Sequence, residues 1–451
     1  MGTFSGRRLL VIGVFIAVGV IFALRLFQIQ VADSTYKAYA QNNALRKLVQ
    51  YPARGLIYDR RKELLVYNKP SYDLLFTPRE AGRFDTLAVS NLLDIPVEVL
   101  RRETKKAAAW STYKPSVLVK QIPREKYAFI QEKLYKLKGF YIQPRTLREY
   151  PKPLAAHALG YVGEVTQSLI DTNSYYQSGD YIGISGIEAA YEEELRGVKG
   201  VKYYMVDVHN RLQGNYRNGE ADTMAQIGRN LVITLDSRLQ EYAELLLQNK
   251  KGSVVAIEPS TGEVLVLANS PAYNPNLLVG RERGNNYAGL VDDPAKPLFN
   301  RALMAQYPPG STVKMAQALI ALQEGVITPQ SRFHCAMGYS SGNFKVGCHH
   351  NQSFDLEGAI ASSCNAYFVY VFRAIMENRN YSGVREAYNV WRDYMLRFGF
   401  GQTLGSDLIN ELKGMVPTSE YYQKYVFRGS RWRALPIVSL SIGQGELGIT
   451  P

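Results

Sequence analysis

The sequence predicts an α+β chain in three parts: one membrane helix at the N-terminus, a mixed middle region, and a C-terminal domain whose short sheet is covered by helices. Three observations carry this expectation. A basic pair, Arg7-Arg8, precedes an uncharged apolar run from Leu9 to Leu24. β-Branched apolar runs punctuated by turn residues begin after Asn230, and long helix-forming segments follow them. Finally, 451 residues exceed what a single hydrophobic core holds and suggest two or three units.

Residues 1–33 read as a cytoplasmic tip and transmembrane anchor. The apolar run is shorter than the ~20 residues that span hydrocarbon, but Arg25 can snorkel and Leu26, Phe27 and Ile29 extend it. A cleaved signal peptide is the competing reading, and the polar stretch that follows offers no small-x-small cleavage site. Basic residues ahead of the span favour an N-terminus in the cytoplasm and an exported body. Residues 34–228 mix short apolar strands with charged helical pieces and carry no catalytic constellation. Arg54 and Asp59 flank Gly55 and read as a turn and strand, and His157 and His209 read as packing or surface residues.

Residues 229–451 open with a strand (Leu231 to Leu235) and a helix from Asp236 through Leu247. A hairpin follows, with Gly252 to Ile257 and Glu263 to Ala268 separated by the turn Pro259-Ser260-Thr261-Gly262. From Val313 to Met395 the pattern predicts a long helical stretch.

That stretch begins at Pro308-Pro309-Gly310-Ser311-Thr312-Val313-Lys314, a break that opens into an apolar helix. Three-residue spacing puts Ser311 and Lys314 on one helical face, so the amine can lie within hydrogen-bonding reach of the hydroxyl, the outline of an activated nucleophile. A helix-capping Ser with a surface Lys is the plainer alternative. The same spacing at Ser34 to Lys37 and Ser111 to Lys114 lacks the Pro-Pro-Gly approach and the apolar helix, and reads as solvated helix or loop. Downstream, Ser363-Cys364-Asn365 interrupts two apolar segments, placing a hydroxyl and an amide where they can meet the Ser/Lys pair and a peptide backbone, which suits acyl transfer. Ser341-Gly342-Asn343 has the same pattern but reads as a turn.

All three cysteines, Cys335, Cys348 and Cys364, fall within thirty residues, together with His334, His349 and His350. These are the ligand types zinc prefers, and Cys335, Cys348, His350 and Cys364 form the candidate set, with His349 as the alternative to His350. A disulfide between Cys335 and Cys348, or three inert thiols, remain open alternatives. A closed site would be structural, since an all-protein shell leaves no position for water.

Ser311-x-x-Lys314 with Ser363-x-Asn365 resembles the penicillin-binding protein and serine β-lactamase superfamily. The segments Ala53 to Arg60, Gly186 to Tyr191, Thr234 to Asp236, Ala256 to Ala268 and Asn300 to Ala302 extend the resemblance to class B penicillin-binding proteins over nearly the whole chain. Within that class the chain is most similar to the elongation-type group, penicillin-binding protein 2. The resemblance implies a pedestal over 34–228 and a transpeptidase domain over 229–451. The superfamily's third motif, Lys-Thr-Gly or Lys-Ser-Gly, does not occur, and the final Ser441 to Pro451 resembles the segment before it, so the sequence is expected to be truncated and unable to turn over as it stands. Some relatives place a zinc ligand at the position of Cys364.

The resemblance further implies a single-pass protein of the bacterial cytoplasmic membrane, with an exported transpeptidase domain that acts on peptidoglycan stem peptides and their lipid-linked precursor. It would be acylated at Ser311 by β-lactams and would work beside a membrane glycan polymerase and other elongation proteins. In the implied chemistry Lys314 takes the Ser311 proton, Ser363 relays it and Asn365 holds the substrate backbone. A division-type transpeptidase, a β-lactam sensor and a non-catalytic scaffold are the alternatives. The formal charge of +13 is spread without a basic tract or aromatic-interleaved patch, which argues against nucleic acid and suits anionic lipid and wall polymers. No nucleotide-binding loop or redox motif is present.

Overall fold

The computed structural model describes residues 4–28, 45–207, 212–342 and 344–451. Ser34 to Lys37, His209 and Asn343 lie outside them. A helix spans Phe4–Phe27, and its apolar residues from Leu10 to Phe27 are long enough and apolar enough to cross a membrane.

The described chain divides into two compact units. One contains 66–149 and 193–231 with the N-terminal residues to Ile57; the other contains 58–65, 150–192 and 232–451. Residues 150–192, which precede Asn230 in sequence, thus pack with the C-terminal unit.

In the first unit, Leu45–Gln50 pairs antiparallel with Gly200–Val206 from Leu45↔Met205 to Gln50↔Gly200, and Leu212–Asn215 adds a third strand. The strand ending at Phe76 pairs with Phe140–Glu149 and with Ser116–Pro123. Helices Thr86–Leu93, Val97–Trp110 and Arg124–Leu134 cover it, burying Leu74, Phe76, Leu100, Ile122, Ile130 and Phe140 in one core. Gly55 is required by close approach, since a Cβ there would stand 1.8 Å from the Arg229 carbonyl oxygen. The Ser111 hydroxyl accepts from the N–H groups of Tyr113 and Lys114, so the second Ser-x-x-Lys is a turn.

In the second unit, Asp236 caps helix Ser237–Leu246 by accepting from the N–H groups of Arg238 and Leu239. Asp59 is fully buried and accepts from Ser237 Oγ at 2.7 Å and from the N–H groups of Arg61 and Glu63, which fixes it as a structural turn residue. The hairpin expected near residue 260 is Gly252–Ile257 against Val264–Ser270. Residues 150–192 join this unit at Tyr150, whose backbone N–H donates to Asn276 Oδ1 at 3.0 Å and whose carbonyl accepts from Asn276 Nδ2 at 2.9 Å, so the Asn276 side-chain amide stands in for a neighbouring strand.

The expected continuous helical stretch from Val313 to Met395 is interrupted. After helix Lys314–Gln323 the chain forms an antiparallel hairpin, Phe333–Ser341 against Phe344–Phe354, before helices Leu356–Ala361, Asn365–Met376 and Val384–Arg397 resume. Cys335 and Tyr339 from one strand and Cys348 and Phe354 from the other turn inward, a period of two that favours strands. These elements enclose the largest core of the unit, with Phe368, Phe372, Tyr388, Trp391 and Ile437 at its centre.

Candidate active site

Gly310–Val313 forms one 3-10 turn that runs into helix Lys314–Gln323. Gly310 has φ +59°, a left-handed conformation that favours glycine, and its N–H donates to the Gly443 carbonyl at 2.9 Å. A Cβ on Gly443 would fall 2.2 Å from the Gly310 carbonyl oxygen, so that side of the clasp must lack a side chain, whereas at Gly310 only the left-handed φ favours glycine. One turn further on, buried Gln317 donates to the Leu440 carbonyl at 3.2 Å and accepts from Trp391 Nε1 at 2.9 Å. Two ties therefore hold the Gly310–Val313 turn and the helix after it against Leu435–Ile442 and the residue that follows.

Lys314 is 3% exposed, and its ammonium donates to the Ser363 carbonyl at 2.8 Å, to Ser363 Oγ at 3.0 Å and to Asn365 Oδ1 at 2.7 Å. The two motifs thus converge on one amine whose three protons are all used. Ser311 is exposed and its hydroxyl has no hydrogen-bond partner among the described residues, so the expected Ser311–Lys314 bond is not formed; the oxygens of Ser363 and Asn365 hold the amine instead. Burial holds the Lys314 amine below the usual lysine range, against the opposing pull of Cys348 and Cys364.

Ser363 has φ +50°, left-handed for a non-glycine residue, at the junction between the helices Leu356–Ala361 and Asn365–Met376. This turn aims the Ser363 carbonyl and hydroxyl together at Lys314. Asn365 donates from Nδ2 to the Gly347 carbonyl at 3.0 Å, which ties the hairpin to the motif and leaves its second amide proton for a ligand.

Behind Asn365, the ligand atoms of Cys335, Cys348, His350 and Cys364 all lie within 4.8 Å of one another, and the three thiols are unbridged. Cys348 Sγ is 3.9 Å from Cys364 Sγ and 3.2 Å from His350 Nδ1. Thiolates about 2.3 Å from a shared tetrahedral zinc lie roughly 3.8 Å apart, so the residues present fit that ion. Burial pushes the Cys348 thiol up, but His350, the helix-terminal N–H groups of Asn365 and Ala366, and Cys335 outweigh it and bring it down to about 6. Burial pushes Cys364 up to about 12. His349 is exposed and outside the cluster. The clasp at Gly443 and the Gly347 carbonyl are the parts that sequence reasoning missed, and Gly310 and Gly443 themselves were the available signal.

A sheet-and-helix unit that brings Ser-x-x-Lys and Ser-x-Asn together around one buried amine defines a serine acyltransferase of the penicillin-binding kind. Residues 49–233 match the penicillin-binding protein dimerisation domain and residues 252–451 the penicillin-binding protein transpeptidase domain. The chain is 31% identical to the peptidoglycan D,D-transpeptidase MrdA of Acinetobacter baumannii, over 99% of this chain and 66% of that protein. It is 30% identical to MrdA of Escherichia coli K12, over 99% and 70%. The E. coli transpeptidase FtsI is less similar, 27% identical over 88% and 60%. Among solved structures, the complex of penicillin-binding protein PBP2 with MreC from Helicobacter pylori superposes with a TM-score of 0.76 at 28% identity, covering 90% of this chain and 75% of that one. The chain belongs to the class B penicillin-binding proteins, in the elongation-type group of peptidoglycan D,D-transpeptidases. It spans about two-thirds of the length of these curated relatives.

Proposed function

We propose that this chain cross-links peptidoglycan stem peptides during cell elongation through an acyl-enzyme on Ser311. The observation that carries the reading is the single amine of Lys314, buried and bonded to both Ser363 and Asn365. Ser311 Oγ attacks the carbonyl of the peptide bond between two terminal D-alanines; the C–N bond breaks, and the departing D-alanine takes a proton. An amine from a neighbouring stem then attacks the Ser311 ester, forming the cross-link and restoring the hydroxyl. Lys314 in its neutral form, whose cost burial lowers, accepts the Ser311 proton as the hydroxyl attacks, and Ser363 Oγ then relays a proton from Lys314 to the leaving amine as the C–N bond breaks. The exposed, unbonded Ser311 hydroxyl is free to turn toward substrate. A β-lactam, an activated cyclic amide, acylates the same oxygen.

Cys335, Cys348, His350 and Cys364 would hold a structural zinc ion, which would bind the hairpin to the Ser363–Asn365 turn and keep Asn365 in place. Helix Phe4–Phe27 supplies the membrane anchor, with its N-terminus in the cytoplasm and the two units exported. Solved neighbours include a PBP2–MreC complex and a peptidoglycan synthase complex that coordinates polymerization and crosslinking, which supports a membrane glycan polymerase and elongation-complex proteins as partners, and the lipid-linked precursor as the source of new strands.

The test is the intact mass of the protein, in its full natural length, after benzylpenicillin treatment. One penicilloyl adduct in wild type, absent from Ser311→Ala, is expected. A folded wild-type protein that gains no mass overturns the acyl-enzyme reading.

A further inference from the structure

Within the C-terminal unit, a half-enclosed cavity of about 170 Å³ lies between residues 150–192 and the segments carrying Tyr273, Asn300 and Ile409. Its lining residues are separate from Ser311, Lys314, Ser363 and Asn365. Three tyrosines wall it. Tyr273 packs edge-on to His157 with centroids 5.3 Å apart, and Tyr161 faces Tyr287 at 6.4 Å. Tyr161 and Tyr273 are nearly buried, whereas Tyr287 is 40% exposed.

The polar groups around it are uncharged and have bonding capacity left over. His157 is 8% exposed and sits with Nε2 2.8 Å from the Pro297 carbonyl. Its neutral ring therefore carries the proton on Nε2, and Nδ1 is an acceptor with no partner among the described residues. Asn300 uses Oδ1 to accept from Asn269 and from the Leu303 N–H, and its Nδ2 has no partner among the described residues. The Ser185 hydroxyl has no partner among the described residues either. Among the described residues no charged side chain lines the cavity; Arg301 lies near His157 behind the wall, and the Arg283 guanidinium stands 5.6 Å from the Tyr161 ring.

These features select a ligand class. A carboxylate or pyrophosphate would lose its hydration here with no charged side chain in the lining to bond it. A purely apolar ligand would strip water from His157 Nδ1 and the Asn300 amide and leave both unsatisfied. A neutral ring with C–H faces and a rim of hydroxyls meets both the tyrosine walls and the polar rim. The volume equals roughly six liquid-water molecules, about the displacement of one hexose ring.

We propose that this cavity is a saccharide subsite that holds one neutral pyranose of a glycan chain. Its identification as an amino sugar of cell-wall glycan rests on the transpeptidase reading, and the subsite would then grip the strand whose stem peptide reaches Ser311. The chemistry at Ser311 does not require the cavity, so one reading can fail while the other stands.

Saturation-transfer NMR on the full chain in nanodiscs, free of sugar-based detergent, tests the proposal with the trisaccharide of N-acetylglucosamine as probe. Transfer to the pyranose C–H protons is expected in wild type. Tyr287→Ala should weaken it roughly fivefold by removing one aromatic face. Ile409→Trp, which places bulk at the exposed mouth and deletes no bond, should abolish it. Melting curves establish that both variants fold. No transfer in wild type, transfer unchanged in both variants, or transfer only to a D-Ala-D-Ala pentapeptide overturns the subsite. Penicillin acylation of the same wild-type sample reports separately on Ser311.

Discussion

Ser363 shows how one residue joins backbone strain to chemistry. Its φ of +50° costs on the order of 1 kcal/mol or more for a side chain with a Cβ, yet this conformation presents carbonyl and hydroxyl oxygens to the same amine. Two substitutions separate these effects. Ser363→Gly keeps the backbone path and releases the strain, whereas Ser363→Ala retains the strain and loses only the hydroxyl. Both should slow penicillin acylation of Ser311, by 10²- to 10⁴-fold on the scale of a lost proton-transfer group. Ser363→Gly should nevertheless melt at or above the temperature of Ser363→Ala. Wild-type acylation by Ser363→Ala would remove the hydroxyl from the proton path, and a lower melting point for the glycine variant would show that the junction is not strained.

The hairpin Phe333–Ser341/Phe344–Phe354 shows what could and could not be read at the scale of the element. Ser311, Lys314, Ser363 and Asn365 were legible because spacing and apolar context are local. The Cys and His ligand types were legible for the same reason. The hairpin was not, because Gly338, Gly342 and Gly347 beside Ser and His side chains read as an irregular polar loop, and the inward alternation of Cys335 and Tyr339 appears only once Phe368 and Phe372 supply the core they face. The choice of His350 over His349 follows from the same pleat, which turns alternate residues to opposite faces. A metal would make this element rigid. Purified protein should therefore contain about one zinc per chain, and chelation should lower its melting temperature, by the equivalent of roughly 3 kcal/mol when zinc stands at a hundredfold excess over its dissociation constant. Cys348→Ser should abolish the metal and slow acylation together, because the Gly347 carbonyl that holds Asn365 lies next to it in the chain. Metal-free protein with unchanged melting and acylation would leave the cluster as packed thiols.

At the scale of the molecule, linear order and compact units diverge. Residues 150–192 precede the second unit in the chain but fold with it, and no local signal in Pro151 to Glu192 announces this, because the pairing partners Asn276, Tyr273 and Pro297 lie more than a hundred residues away. His157 records the consequence. It reads as a packing residue in the sequence, and in the structure burial holds its imidazole down to about 4, with the nearby Arg301 charge adding to the effect and the Pro297 carbonyl opposing it. An unfolded histidine titrates near 6.5. Between about pH 4 and 6.5 the unfolded chain thus binds a proton that the folded chain refuses, so stability is complete above that window and lost as pH falls through it. The whole window is worth about 3 kcal/mol. The urea midpoint of the second unit, followed by hydrogen exchange on residues 150–192, should fall from pH 7 to pH 4.5. His157→Gln, which can still donate to the Pro297 carbonyl but cannot titrate, should flatten that slope while costing stability at pH 7. An identical acid slope in the variant would assign the loss to other groups and leave His157 as a neutral packing residue whose burial is not coupled to the docking of 150–192.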